Sequence, residues 1–79
     1  MFIPDNLPAR IVLLRFLEEN IPCVRVTEFV GGLIALTDRF NTAAKYYRLP
    51  VEAHRKGDLL FLINTAKTSW NLIKSQVLA

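Results

Sequence analysis

The chain has 79 residues, a formal net charge of +3, 52% hydrophobic residues and one cysteine. That is room for one domain, expected over residues 1–79, which buries about 60% of the surface its unfolded chain exposes and holds no internal disulfide. A membrane span needs roughly 20 apolar residues and the longest unbroken run here, Phe29 to Leu36, has eight including two glycines, while Pro4, Asp5, Pro8, Glu18 and Glu19 interrupt any secretory leader.

The first predicted element is a helix over about 6–20. Asp5 or Asn6 supplies its N-cap, and Pro8 is tolerated where first-turn amides have no acceptor to lose. Asn20 accepts a left-handed stop, and Pro22 pushes the preceding residue out of helix. Ile11, Val12, Leu13, Leu14, Phe16 and Leu17 fill most of the circumference and leave a narrow polar slice of Arg15, Glu18 and Glu19. Such a helix is covered on more than one side.

Residues 23–40 support two readings. Val26, Phe29, Leu33, Leu36, Phe40, Ala43 and Tyr47 recur at steps of three and four, which places them on one side of a helix over about 27–48 with Thr27 as N-cap. Gly31 and Gly32 then lie inside that helix at a cost of about 1 kcal/mol each. In the alternative, the β-branched stretch from Cys23 to Val30 pairs with 33–40 around a Gly31–Gly32 turn, setting Arg25 opposite Asp38 and Phe29 opposite Ile34. The helix is preferred because the hairpin gives neither strand an alternating face.

Beyond Pro50 a short helical turn is expected at 51–56, stopped by Gly57. Asp58 caps a last helix over 58–78, with Leu59, Leu62, Ile63, Ala66, Trp70, Ile73 and Val77 along one side. The expected fold is therefore all-α, a small three-helix bundle with an extra helical turn, and the alternative is α+β with a hairpin at about 23–40. Its expected seam comprises Leu14, Leu17, Phe29, Leu33, Leu36, Phe40, Leu62, Ala66, Trp70 and Ile73.

Chemistry is poorly supplied. Nucleophilic catalysis needs a nucleophile, a base and an orienting group. The single histidine, His54, sits between Ala53 and the cations Arg55 and Lys56, and Cys23 follows a proline in a connection. One cysteine and one histidine give no recognisable metal-ligand spacing, and the glycines lack the lysine and further glycines of a phosphate loop. No catalytic residue, cofactor, metal or small-molecule substrate is expected, and the chain is read as non-catalytic.

Two surface features remain. Phe61 and Leu72 are three helical turns apart on the side of the last predicted helix away from its stripe, as anchors for a partner protein or a second copy of the chain. Arg39, Lys45, Arg48, Arg55 and Lys56 place half of the ten basic residues within 18 positions, with Tyr46 turned outward among them. This group would steer an acidic partner, or in the alternative reading bind nucleic acid, with cations on phosphates and Tyr46 on a base. Positive charge and long apolar arcs also suit a membrane surface, but such stripes are assigned to a core. The expectation is a small intracellular module in a reducing, cytoplasmic compartment, accessory or regulatory in role, that binds a partner protein or itself.

Overall fold

The residues after Gly57 and Asp58 do not open a helix; they return antiparallel along the six that precede them. A computed structural model describes residues 8–27 and 31–78. Its elements are α1 (Ala9–Glu18), β1 (Cys23–Val26), α2 (Leu33–Tyr46), β2 (Val51–Lys56), β3 (Leu59–Asn64) and α3 (Trp70–Leu78). The strands form one antiparallel sheet in the order β1-β3-β2.

The all-α bundle is thus overturned: the fold is α+β. Its cause lies in β3. A central strand buried on both faces loses the alternation that betrays a strand, and its unbroken Leu59-Leu60-Phe61-Leu62-Ile63 run also satisfies a helical stripe. Gly57, at φ +57°, was expected as a helix stop and is instead part of the β2–β3 hairpin turn, where a left-handed residue matches the strand twist. The alternative α+β reading names the class, but its hairpin at 23–40 does not form. Cys23–Val26 is a strand, with Arg25 opposite Phe61, whereas Asp38 lies on α2; Phe29 lies outside the described residues.

Both long helices are shorter than the sequence suggests. Pro8 precedes α1 and its carbonyl accepts from the Ile11 and Val12 amides at 3.0 and 3.3 Å. Asn20, at φ +57°, turns the chain out of the helix toward β1. Gly31 and Gly32 precede α2, and Gly32, not Thr27, stands at its N-cap, so the cost of interior glycines never arises. Past its C-terminus Arg48 takes φ +55° and the Leu49 amide donates to the Ala44 carbonyl at 2.8 Å, a left-handed exit that feeds β2.

The core lies between the two long helices and one face of the sheet. Val12, Leu13 and Phe16 of α1, Leu36, Phe40 and Ala44 of α2, and Val26, Val51, Ala53, Leu60 and Leu62 of the sheet form one buried cluster. The strand register explains the set, because Val24 and Ala53 flank Leu62 while Val26 and Arg55 flank Leu60, and cross-strand partners share a face. Burying side chains such as Phe16, Phe40 and Leu62 contributes about 1.5–3 kcal/mol each.

Of the expected seam, Leu36, Phe40 and Leu62 are buried, and Leu17 and Leu33 pack half-buried against the core. Trp70 and Ile73 are half-buried on α3, Ala66 is exposed, and Leu14 is 38% exposed. Trp70 belongs to the opposite face of the sheet, where it lies parallel to the His54 ring at 4.8 Å and tilted on Phe61 at 5.8 Å.

Candidate docking face on the outer side of α2

Packing determines which side of α2 remains free. Leu36, Phe40 and Ala44 are committed to the core, and buried Thr37 donates from Oγ1 to the Leu33 carbonyl at 2.8 Å. Asn41 is committed to the sheet: its Nδ2 donates to the Ala53 carbonyl and its Oδ1 accepts from the Ala53 amide, each at 2.9 Å. Helical periodicity then sends Ala35, Asp38, Arg39, Thr42 and Tyr46 to solvent, and all five are exposed.

On this side runs a groove of about 580 Å³ in which the small side chains Ala9, Ala35 and Ala43 leave the space that Tyr46 and Tyr47 bound, with Asp38, Arg39 and Thr42 as its polar members. The tyrosine rings meet edge to face at 4.8 Å. The Arg10 guanidinium sits 5.2 Å from the centre of the Tyr47 ring, a cation–π contact that fixes one wall. Tyr46 is 77% exposed, and Ile34 at the start of the helix is 61% exposed.

The residues singled out from sequence fall into three places. Arg39, Lys45 and Tyr46 are exposed on α2, and Arg48 is exposed in the turn after it. Arg55 and Lys56 are neighbours in a strand and so point to opposite faces. Arg55, opposite Leu60, is exposed on the helix side; Lys56, opposite Leu59, is half-buried on the other. The basic group is therefore split, with Lys56 apart from the rest.

Phe61 and Leu72 do not share a helix. Phe61 is on β3 and 6% exposed, under Trp70, whereas Leu72 is on α3 and 60% exposed. The pairing that made them joint anchors is lost with the helix that carried it. The groove residues Ala9, Arg10, Ala35, Ala43 and Tyr47 were not foreseen. Their one signal was the small Ala35 and Ala43 on a helix that ends in Tyr46 and Tyr47, which acquires meaning only once Ala9 is placed beside that helix.

Elsewhere among the described residues, the histidine and the cysteine lie apart. His54 shares its Nε2 with Glu52 Oε1 at 2.8 Å and is stacked on Trp70. Cys23 lies on β1 with the central strand between it and His54, two residues out of register as well, so more than about 10 Å, two strand spacings, separates them. Burial pushes its thiol pKa upward, away from a reactive thiolate. Among the described residues no three His, Cys, Asp or Glu are grouped to hold a metal ion, and no helix is long and apolar enough to cross a membrane.

Comparison with protein-family models, curated proteins and solved structures finds no match. The site must be read from its own chemistry.

Proposed function

We propose that this chain is a non-catalytic binding module that docks a partner protein on the outer side of α2. The observation that carries the reading is the groove itself: an apolar hollow of about 580 Å³ with a tyrosine 77% exposed at its edge. An exposed tyrosine beside small side chains is the kind of surface at which protein contacts concentrate their energy. Arg39 and Arg10 add cations beside it. The lone Cys23, free of any disulfide, supports placing this role in a reducing, intracellular compartment.

Amide chemical shifts during titration with short amphipathic helical peptides test the reading. Saturable shifts centred on Ala35, Thr42, Ala43 and Tyr46, lost in Ala35→Trp, support it. Peptides that leave these amides unmoved at millimolar concentration overturn it.

One observation favours a second reading. Arg39, Lys45 and Arg48 lie along α2 and its exit, and Arg55 is exposed on the helix side of the adjoining strand, a run of cations able to follow phosphates with Tyr46 free to stack on a base. Titration with duplex and single-stranded oligonucleotides at two salt concentrations separates the readings, because phosphate binding falls steeply as salt rises.

A further inference from the structure

We infer that the occupant of the α2 groove is an acidic amphipathic helix of a partner protein, with its apolar stripe over Ala35 and Ala43 and its carboxylates toward Arg39 and Arg10. The inference rests on the protein-docking reading above and gives the partner its chemistry.

Shape argues for a helix. The groove follows α2 from Ala35 to Tyr47, about 18 Å at 1.5 Å per residue, or some three turns of a partner helix laid alongside. Alanines at Ala9, Ala35 and Ala43 leave room for large apolar side chains at i, i+3 and i+7 spacing, the pattern by which helices enter grooves. Tyr46 and Tyr47 offer broad faces at little cost in side-chain ordering.

Charge argues for an acidic partner. Arg39 lines the groove, Arg10 sits over Tyr47, and Lys45 and Arg48 precede and follow the two tyrosines in the chain, against Asp38 in the lining as the one carboxylate on α2. Complementary charge at the edge speeds encounter and selects the partner, while the apolar floor supplies the affinity.

The same cations argue against the rival occupants. A second copy seated across a twofold axis would set the positive excess around the groove, Arg10, Arg39, Lys45 and Arg48 against the one carboxylate Asp38, near the same excess on the other copy. A nucleic acid would use the cations but leave the apolar floor unfilled.

Fluorescence anisotropy with three labelled helical peptides of about 15 residues, sharing one leucine and phenylalanine stripe but carrying Glu, Gln or Lys on the other face, tests the assignment. The Glu peptide is expected to bind at least about tenfold more tightly than the Gln peptide and the Lys peptide weakest, with Arg39→Glu reversing the order. Ala35→Trp should abolish binding and Leu72→Ser should leave it unchanged.

If the Gln or Lys peptide binds as tightly as the Glu peptide at the same amides, the acidic assignment falls and the docking reading stands. If no peptide binds and a DNA duplex does, both fall. A dimer seen by light scattering that Ala35→Trp dissociates would make a second copy the occupant and overturn the inference.

Discussion

Asn41 on α2 acts as a stand-in strand for Ala53 on β2, its side-chain amide exchanging two hydrogen bonds of 2.9 Å with the Ala53 amide and carbonyl. β2 is an edge strand in the order β1-β3-β2, and outward N–H and C=O groups on an edge invite pairing with other chains. Asn41 satisfies one such pair and at the same time fixes the rotation of α2, so the stripe that faces solvent is the one bearing Ala35, Arg39 and Tyr46.

Asn41→Ala removes both bonds and should destabilise the fold by about 1–3 kcal/mol, two neutral hydrogen bonds at about 0.5–1.5 each. Asn41→Asp retains the acceptor for the Ala53 amide but sets a carboxylate against the Ala53 carbonyl, and should not restore stability. Urea unfolding measures both, with concentration-dependent aggregation of Asn41→Ala as a second consequence of an opened edge. A change below about 0.3 kcal/mol in Asn41→Ala would refute the role.

Phe61 and Leu72 should behave oppositely. Phe61, on the central strand and 6% exposed under Trp70, is expected to cost about 3–5 kcal/mol on truncation to alanine. Leu72, 60% exposed, should change stability by no more than about 0.5 kcal/mol when made serine. Equal costs, measured by thermal or urea unfolding, would return both to one helix face and contradict the strand at 59–64.

That contrast shows where the chain is legible. The core of α2 follows from spacing, with Leu36 and Phe40 buried and Arg39 and Tyr46 facing outward as the wheel requires, whereas α1 buries Val12, Leu13 and Phe16 in place of the expected Leu14 and Leu17. The β3 strand is illegible because Phe61 and Ile63 are buried on one face while Leu60 and Leu62 are buried on the other, so no polar residue marks its alternation. Asp58 after Gly57 reads equally as a helix cap or as half of a hairpin turn, and only tertiary pairing decides. The groove is partly legible, since Arg39 and Tyr46 were expected at an exposed face of this helix. Its hollow depends on where Ala9 meets α2, a contact between distant segments that no local pattern encodes.

Trp70 is expected to hold α3 to the sheet through His54. The two rings are parallel within 1° at 4.8 Å, and Glu52 orients the imidazole by its 2.8 Å contact with Nε2. Past Trp70, Asn71, Leu72, Lys74, Ser75 and Gln76 are exposed and Ile73 is half-buried, so among the described side chains Trp70 and Ile73 hold the helix down. His54→Ala should cost about 0.5–1.5 kcal/mol, the worth of a ring pair beyond its area, and should shift Trp70 emission to longer wavelength with easier iodide quenching. Because Trp70 is the single tryptophan, the spectrum reports this site alone; unchanged emission in His54→Ala would disprove the clasp.

Cys23 gives the chain an alkaline dependence whose sign is fixed by burial. Desolvation raises the thiol pKa in the folded state above its ordinary value, since burial disfavours the charged thiolate. Over the pH range between the two values the unfolded chain has lost its proton and the folded chain has kept it, so the folded state binds more protons and stability falls as pH rises. Below the ordinary thiol value both states are protonated, and the thiol adds no slope. Urea midpoints taken from neutral pH upward should therefore fall more steeply for the native chain than for Cys23→Ala, the difference opening only as the pH enters the thiol range. Alkylation by iodoacetamide should be slower in the folded chain than in urea at the same pH, because the thiolate is the nucleophile. Parallel midpoint curves with equal alkylation rates would show that the thiol is not held away from water at its place on β1 beside Ile63.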